Sequence, residues 1–333
     1  MYRIKNSLLC GGCSDNESDF VKGTHETLVL DNGEADLHKH ITVCRKNPGH
    51  RDFIPLDNFS LELLPKAHQC HELFKLISAV ASLTVRVDVR MVSPNRPQFW
   101  PYSEVTYPFY DMRGKTNLRF GSAKVRSVTK VVRAYNGESN LRCPCQRCQG
   151  SESPSDVWWE IEVISASHVV FDDIEASYTS LRLFYDNQHS QYLTLNKVNM
   201  DSSSLPNDWC RLVSVTCDSG LVKQLTASLE LYFEQWKKVH EKYQRSRDKD
   251  KLTFVVSHPH GCPKQISIGK WTGKYKESMK KYLNKFTYNA STCPGSSGAP
   301  VHCVGYTGWW FCQQVHSGTL NTGLNYCGYG LVV

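Results

Sequence analysis

Residues 293–300 read Cys293-Pro294-Gly295-Ser296-Ser297-Gly298-Ala299-Pro300. A serine hydroxyl is a poor nucleophile unless the backbone holds it exposed, and the oxyanion that it generates needs two neighbouring N–H groups. The glycines on both sides of Ser297 permit the tight turn that such a serine requires. Taken alone, the segment also fits an ordinary surface turn, because short motifs have many false positives.

The segment resembles the G-D-S-G-G-P nucleophile loop of the trypsin-like (chymotrypsin-fold) serine proteases. The resemblance implies that Ser297 is the nucleophile and that the N–H groups of Gly295 and Ser297 form the oxyanion hole. Ser296 stands where digestive members carry an aspartate that pairs with a newly cut N-terminus. We therefore expect an active site that forms without zymogen processing, and Ala299 is a mild replacement for the second glycine.

Two further segments match the family's motifs for the general base and its acidic partner. Residues 163–170, Val-Ile-Ser-Ala-Ser-His-Val-Val, resemble V-x-T-A-x-H-x-[VIL] and imply His168 as the base. Residues 208–213, Asp-Trp-Cys-Arg-Leu-Val, resemble D-[IVL]-A-x-L and imply that Asp208 orients the imidazole. The order His168, Asp208, Ser297 is that of chymotrypsin-like enzymes. In isolation His168 would fit a core histidine that caps a strand. Four other acids are alternatives to Asp208, the first two also fitting local turn-capping: Asp172, Asp173, Asp186 and Asp201.

Other fragments agree with the same family and indicate its branch. Residues 254–261, Phe-Val-Val-Ser-His-Pro-His-Gly, resemble the G-[NHY]-P-x-G strand and turn of the HtrA-like and related intracellular proteases. Residues 120–125, Phe-Gly-Ser-Ala-Lys-Val, resemble the strand that opens the first barrel. The resemblance covers roughly residues 80 to 333 and favours an intracellular, HtrA-like or 3C-like enzyme over a digestive one.

Substrate specificity is indicated by two positions in the matched segments. Ser291 falls where the family sets the floor of the S1 pocket, and a small uncharged residue there disfavours lysine or arginine at P1. Residues 314–318, Gln-Val-His-Ser-Gly, match the strand that flanks the substrate, so His316, Ser317 and Gly318 are candidate substrate-binding residues. In the viral 3C-like proteases, a histidine in that strand reads a P1 glutamine. The alternative for His316 is a partly exposed strand histidine.

Short strand-like segments separated by turn residues predict a β-sandwich or β-barrel. The family resemblance implies an all-β, two-barrel chymotrypsin-like fold with an N-terminal extension and an inserted long helix. Residues 1–79 form the extension, which is expected to be peripheral, and an amphipathic helix follows Pro65 over about residues 66–82. Alternating valines and charges over residues 84–92 predict a half-buried antiparallel strand. The peptidase domain spans residues 80–333, and its inserted helix covers about residues 219–246, with an acidic start at Asp218. The apolar residues of this helix are expected to pack across the strands, and they are Leu221, Leu225, Leu229, Tyr232, Phe233, Trp236 and Val239. Further strands are predicted at 121–132, 158–170, 181–185, 210–216, 252–256, 265–268, 301–304 and 309–315.

Composition excludes several classes of protein. The chain has 333 residues, of which 40% are hydrophobic and 21% charged, so bulk disorder is not expected. The 39 Lys and Arg outweigh the 32 Asp and Glu by only +7, which makes nucleic acid an unlikely partner. No apolar run is long enough to span a bilayer, and the N-terminus lacks the apolar stretch of a secretory signal. We therefore expect a cytoplasmic or nuclear protein without membrane contact.

The 14 cysteines are expected to be reduced thiols, with structural zinc where their spacing permits. No cofactor is otherwise expected. Cys143, Cys145 and Cys148 are candidate zinc ligands, and disulfides or free thiols are the alternative. The N-terminal group is Cys10 and Cys13 with His38, His40 and Cys44. The family resemblance implies a Cys293–Cys327 disulfide only in an oxidising compartment.

The sequence thus predicts a serine endopeptidase that hydrolyses peptide bonds through Ser297, His168, Asp208 and an acyl-enzyme, with a protein or peptide as substrate. The alternative is a catalytically inactive, protease-shaped module that binds a protein or nucleic acid, for example through the basic run at residues 237–251. Such charge runs are usually solvated faces.

Overall fold

The computed structural model describes residues 23–26, 28–30, 34, 37–132, 142–277, 283–306 and 314–332. Strands in these ranges are β1 Val29–Leu30, β2 Phe53–Pro55, β3 Thr84–Val89, β4 Leu118–Val132, β5 Val157–Ser165, β6 Thr179–Leu183, β7 Leu193–Leu195, β8 Val198–Ser204, β9 Trp209–Thr216, β10 Leu252–Ser257, β11 Gln265–Lys276, β12 Leu283–Tyr288, β13 Val301–Cys303, β14 His316–Thr319, β15 Asn325–Cys327 and β16 Gly330–Leu331. The α-helices are α1 Leu37–Thr42, α2 His71–Leu83, α3 Asp173–Ser177, α4 Ser219–Tyr243 and α5 Arg247–Asp250.

The strands form two eight-stranded sheets in which every described pairing is antiparallel. The first sheet has the order β7-β6-β3-β4-β5-β9-β8, and β1 also pairs with β4. The second has the order β13-β10-β11-β12-β15-β14, with β16 added at β12 and β2 at β11. The two sheets are formed by consecutive parts of the chain, apart from β2. The predicted fold class, two antiparallel β units with few helices, is confirmed.

Strand β3 differs from the prediction in its burial. Alternating valines predicted one solvated face, yet all six of its residues are buried. The charged face is covered because Arg86 donates to Asp88 Oδ1 at 2.7 Å and to the Gly261 carbonyl, next to the second sheet, at 2.6 Å. A charge that is paired and hydrogen-bonded can be buried, so alternation of polar residues did not here indicate exposure.

The long helix α4 begins as predicted from its acidic cap. The Asp218 carboxylate accepts hydrogen bonds from the N–H groups of Gly220 and Leu221, at 2.9 and 3.0 Å, which satisfies two donors at the helix start. Its buried stripe faces α2 and the core: Leu221, Val222, Leu225, Leu229, Tyr232, Gln235, Val239 and Tyr243. Phe233, expected on that stripe, is 48% exposed. The helix ends at Tyr243 and not near residue 246.

The described residues of the N-terminal extension pair with both sheets, since β1 pairs with β4 of the first sheet. Strand β2 of the extension pairs with β11 of the second sheet. Helix α2 starts at His71, since residues 66–68 form a separate 3-10 turn, and the boundary expected between residues 79 and 80 falls inside this helix. The buried side chains of α2 belong to the largest core cluster, which also contains residues of both sheets.

Two further points concern the remaining predicted elements. The strand expected at residues 309–315 lies largely outside the described residues, and Val315 alone forms an isolated bridge to Pro300. Strand β8 was not predicted, because its Asn, Asp and Ser residues disfavour a strand, but it is held as an edge against β9. Within the described ranges, no helix combines the length and apolarity of a membrane span.

Candidate active site

The loop around Ser297 is a tight turn built on two glycines. Gly295 and Gly298 have φ values of +95° and +85°, a region that favours glycine. A Cβ at Gly298 would clash with the Ser165 hydroxyl and the Ser122 carbonyl, so this position also needs glycine for close packing. Ser297 lies between them and is 2% exposed. The sequence therefore forces the turn, and the fold packs it against the first sheet.

The two amides expected to form the oxyanion hole are left unpaired. Other groups of the loop are bonded: the Ser297 carbonyl accepts from Ser122 N at 2.8 Å, and the Gly295 carbonyl accepts from Ser122 Oγ at 2.8 Å. The N–H groups of Gly295 and Ser297 donate to no protein acceptor among the described residues. Two such N–H groups on one fixed turn can receive a developing oxyanion.

His168 and Asp208 form a buried hydrogen-bonded pair. His168 Nδ1 lies 2.8 Å from Asp208 Oδ2, and the His168 amide donates to Oδ1 at 3.1 Å. Ser167 Oγ also donates to Oδ1, at 3.0 Å, and Ser317 Oγ donates to Oδ2. Burial alone would raise the pKa of Asp208, but the neighbouring His168 and His25 rings and the hydrogen bonds with His168 and Ser317 lower it to about 2. The carboxylate stays ionised and fixes Nδ1–H, which leaves Nε2 as the acceptor.

The alternative acids are engaged in structural roles. Asp172 caps α3 by accepting from Glu175 N at 3.1 Å and from Ser93 Oγ at 2.5 Å. Asp186 pairs with Lys264, and Asp201 pairs with Arg211. Asp173 is exposed in the first turn of α3. Of the five acids, only Asp208 is bonded to His168.

One dipeptide of β14 connects the acid to the nucleophile loop. The His316 carbonyl accepts from Gly298 N at 2.9 Å, and the His316 amide donates to the Ala299 carbonyl at 2.7 Å. The next residue, Ser317, holds the Asp208 carboxylate. The side chain of Ser317 therefore contacts the acid, and its carbonyl oxygen, 2.7 Å from His25 Nδ1, faces the cleft.

Ser297 Oγ does not bond to His168 in this structure. It lies 3.3 Å from the carbonyl oxygen of Glu26 and donates to it, while His168 Nε2 is buried without a hydrogen-bond partner among the described residues. The ring of His25 packs 4.7 Å from the ring of His168. Two residues of the N-terminal extension thus contact Ser297 and His168. Sequence reasoning missed His25 and Glu26, since nothing near them resembles a catalytic motif.

The predicted substrate-binding residues differ in how closely they approach the Glu26 side chain. His316 is buried, and its Nε2 lies 3.3 Å from a Glu26 carboxylate oxygen. Ser291 lines the same open cleft of about 550 Å³, while its neighbour Thr292 makes the contact, with Oγ1 3.3 Å from the carboxylate. A Cβ at Gly318 would clash with the Thr24 carbonyl, so a glycine is needed where the extension passes.

Two clusters of metal-ligand residues lie outside this cleft. The Sγ atoms of Cys143, Cys145 and Cys148 converge with that of Cys217, all within 4.8 Å of one another, and Cys217 was not predicted. A second group, equally close, consists of two cysteines and two histidines: Cys44, His50, His260 and Cys293. Its Cys44 was predicted together with Cys10 and Cys13, which lie outside the described residues. Cys293 and Cys327 are both free thiols.

Comparison with known proteins gave matches among solved structures alone. No protein-family model matches the chain, and no curated protein matches it. The HtrA-type protease AlgW, solved with a decapeptide, matches at 12% identity and a TM-score of 0.38, covering 77% of this chain and 62% of AlgW. The active form of the Rv3671c protease from M. tuberculosis matches at 11% identity and a TM-score of 0.37, covering 76% and 78%. This chain thus spans about three fifths of the AlgW chains that it matches.

Proposed function

We propose that the chain is a serine endopeptidase in which Ser297 is the nucleophile, His168 the general base and Asp208 the residue that orients it. The observation that carries this proposal is that two adjacent residues of β14 contact both the loop around Ser297 and the Asp208 carboxylate. His316 holds the nucleophile loop by two backbone hydrogen bonds, and Ser317 holds the acid. Such coupling of a buried Asp–His pair to a glycine-bounded serine is what acyl transfer requires.

The chemistry follows from the bonding of each group. Asp208 fixes the imidazole tautomer, so His168 Nε2 accepts the proton of Ser297 Oγ as that oxygen bonds to the substrate carbonyl carbon. The oxyanion is received by the amides of Gly295 and Ser297. The His168 imidazolium then protonates the leaving amine as the C–N bond breaks. Water, deprotonated by the same imidazole, hydrolyses the acyl-enzyme and restores Ser297.

The alternative, an inactive binding module, is less well supported by the basic run at residues 237–251. Lys238 pairs with Glu234 at 2.6 Å, and Lys242 lies 3.5 Å from a Glu72 carboxylate oxygen. Lys251 Nζ lies 4.8 Å from the centre of the Trp271 ring. Much of this charge is therefore compensated within the chain.

A fluorophosphonate probe tests the proposal. We expect the probe to label the full chain covalently and to leave a Ser297→Ala variant unlabelled, as read by intact mass. Since Glu26 contacts the nucleophile, a Glu26→Lys variant is labelled in parallel to open the cleft. Folding is checked by circular dichroism. Absence of labelling in both folded proteins would overturn the endopeptidase and favour the binding module.

A further inference from the structure

The segment Gly23–Glu26 lies in the cleft in the manner of a bound peptide. The Thr24 amide donates to the Thr319 carbonyl and the Thr319 amide to the Thr24 carbonyl, both at 2.8 Å. His25 Nδ1 lies 2.7 Å from the Ser317 carbonyl oxygen. Antiparallel addition of a short segment to a sheet edge is a common mode of peptide recognition. The segment therefore extends the second sheet at β14.

The chain continues past Glu26 to the first sheet. Val29 and Leu30 pair with Arg119 and Leu118 of β4. The two sides of Glu26 are thus held by different sheets, and its carbonyl oxygen is the acceptor for Ser297 Oγ. A peptide that is to be cut needs both flanks fixed and its scissile carbonyl beside the nucleophile. The Glu26 carbonyl meets both conditions, and for reaction its oxygen turns from Ser297 Oγ to the free amides of Gly295 and Ser297.

The Glu26 carboxylate is received by hydrogen-bond donors. It contacts the Lys46 ammonium, and its side chain is only 7% exposed. The hydroxyls of Thr292 and Thr319 accept from Lys46 Nζ at 2.9 and 2.7 Å, so their own protons are available to the carboxylate, to which they lie at 3.3 and 2.5 Å.

His316 is a further hydrogen-bond donor to the Glu26 carboxylate, because its tautomer is fixed. The Tyr288 hydroxyl lies 2.6 Å from His316 Nδ1, and burial raises the pKa of Tyr288 well above its usual value. Tyr288 therefore keeps its proton and donates to Nδ1. Burial also lowers the pKa of His316, so the ring is neutral and its proton sits on Nε2, which faces Glu26. A pocket of donors with one ammonium fits an anionic side chain and rejects a cationic one.

We propose, on the basis of the proposed function, that the enzyme cleaves after glutamate and that its first substrate is its own Glu26–Thr27 bond. Ser297 Oγ bonds to the Glu26 carbonyl carbon, the C–N bond to Thr27 breaks, and the proton from Ser297 passes through His168 to the Thr27 nitrogen. Water then releases the Glu26 carboxylate from Ser297. The site is formed before this cut, so the reaction is intramolecular.

N-terminal sequencing and intact mass of the full chain test self-cleavage. Wild-type protein is expected to acquire Thr27 as its N-terminus, at a first-order rate that does not depend on protein concentration. Ser297→Ala and Glu26→Lys remain intact, and Glu26→Gln is cut at least ten-fold more slowly. The exposed Glu230 of α4 provides the matched control, since Glu230→Lys should be cut at the wild-type rate.

Peptide hydrolysis by the cleaved enzyme tests the specificity separately. With peptides that differ only at P1, glutamate is expected to be cut at least 100-fold faster than lysine, and Lys46→Met should reduce that preference. Protein that reacts with the fluorophosphonate but neither cuts itself at Glu26 nor prefers glutamate would overturn this inference and leave the endopeptidase standing. Protein that cannot be labelled in any variant would overturn the proposed function itself.

The second inference comes independently from the Cys44, His50, His260 and Cys293 cluster. Cys44 Sγ and Cys293 Sγ are 3.6 Å apart, and His50 Nε2 and His260 Nε2 are 3.2 Å apart. Cys293 Sγ and His50 Nε2 are 3.5 Å apart. Tetrahedral zinc with its usual bond lengths would place such pairs at about 3.8, 3.4 and 3.6 Å, respectively. The four side chains are thus spaced as zinc ligands are.

Neighbouring groups support the sulfur ligands. The Asn47 amide N–H lies 3.4 Å from Cys44 Sγ, and Asn47 Nδ2 lies 3.1 Å from Cys293 Sγ. Donors of this kind stabilise thiolates in metal sites. In the other cluster, Cys145 Sγ and Cys148 Sγ lie 3.5 and 3.7 Å from Cys217 Sγ, again close to the edge of a zinc tetrahedron. Thiolate and imidazole sets suit zinc and not magnesium or calcium.

We infer that the chain binds two structural zinc ions, one at each cluster, with each thiol ligand losing its proton to solvent. The site with two cysteines and two histidines joins the extension to the nucleophile loop, since Cys293 begins the turn and the neighbouring Pro294 carbonyl accepts from His260 N at 2.5 Å. The site with four cysteines joins the loop before β5 to the end of β9. Neither ion contacts the catalytic residues.

Metal content of the purified full chain tests this inference without reference to activity. Mass spectrometry of the dissolved metal is expected to find two zinc ions per chain, one in His50→Ala, one in Cys217→Ser and none in the double variant. Cys303→Ser, a buried cysteine outside both clusters, should retain two. Folded wild-type protein with no zinc after expression in zinc-supplemented medium would overturn the assignment, and so would a His50→Ala or Cys217→Ser variant that keeps both ions.

Discussion

At the scale of single residues, the arrangement around Asp208 explains why this aspartate, and none of the four alternative acids, is bonded to His168. Its backbone φ is 51°, a left-handed conformation that aspartate tolerates better than most residues. This conformation places the carboxylate where two hydroxyls, one amide and one imidazole converge. The carboxylate is fully bonded, so it orients His168 without taking its proton.

Replacing Asp208 by asparagine should therefore abolish most of the activity while retaining the shape of the site. Asparagine carries an NH2 group in place of one carboxylate oxygen. That group donates a hydrogen bond and so favours the tautomer of His168 that lacks the proton on Nδ1. We expect kcat/KM for peptide hydrolysis to fall by about 10⁴-fold. Ser317→Ala is the comparison variant, since it removes one donor and keeps the carboxylate. A smaller loss in Asp208→Asn than in Ser317→Ala would contradict the role given to Asp208.

Short motifs pointed to the three residues of the proposed triad, and the rest of the candidate site has no such motif. The segments around His168, Asp208 and Ser297 each carry local constraints on the turn or strand that presents the side chain. Glu26 and Lys46 have no such local signature, because their role exists only once the extension has folded back onto β14. The same holds for Cys217, which joins its three partners across the pairing of β5 with β9.

At the scale of elements, the short helix α3 supports the backbone of His168. Glu175, fully buried in this helix, accepts from Arg96 Nε at 2.6 Å and Nη2 at 2.7 Å, and it pairs with Arg119 at 3.1 Å. Arg96 Nη2 also donates to the His168 carbonyl at 3.0 Å. The helix thus fixes the backbone of the base through one ion cluster.

Glu175→Gln should destabilise the protein strongly, because two buried guanidinium groups lose their counter-charge. We expect the free energy of unfolding, measured in urea, to fall by about 3–5 kcal/mol. Glu160 is an exposed glutamate of β5 and serves as the control. Glu160→Gln should change the free energy of unfolding by less than about 0.5 kcal/mol. Equal effects of the two substitutions would show that the cluster contributes nothing.

Elements were predictable where one face is apolar and less so where charges are buried. The periodicity of α2 and α4 gave both helices, with their ends shifted by a few residues. Strand β3 was predicted, but its second face was assigned to solvent, since a sequence does not show that Arg86 and Asp88 pair beneath another sheet. Phe233 was assigned to the buried side of α4 because it follows Tyr232, although adjacent residues on a helix face different directions.

At the scale of the whole molecule, the two sheets share buried charges as well as apolar core. Arg86 of the first sheet bonds to Gly261, and Lys264, fully buried, donates to the Ala81 carbonyl of α2 at 2.8 Å and pairs with Asp186. Separating the sheets would take Lys264 away from Asp186 and Arg86 away from the Gly261 carbonyl, and a buried charge that loses its partner is costly. The two sheets are therefore expected to unfold as one unit.

Buried carboxylates should make this unit sensitive to acid. The pKa of Glu175 and that of Asp208 are each lowered to about 2, because nearby cationic groups outweigh the effect of burial. A carboxylate whose pKa is lower in the folded state adds stability above its unfolded pKa, near 4, and loses it as the pH falls to about 2. We expect the unfolding free energy to drop steeply over this interval in urea titrations. Asp208→Asn should flatten the slope, and an unchanged slope would contradict the low pKa of Asp208.

The backbone pairing of Thr24 with Thr319 also has a kinetic consequence. A ligand that belongs to the same chain keeps a constant effective concentration however far the protein is diluted. Foreign peptides must compete with that tethered ligand until the tether is cut, and afterwards the released fragment can diffuse away. Hydrolysis of an added substrate should therefore begin with a lag whose length is independent of enzyme concentration.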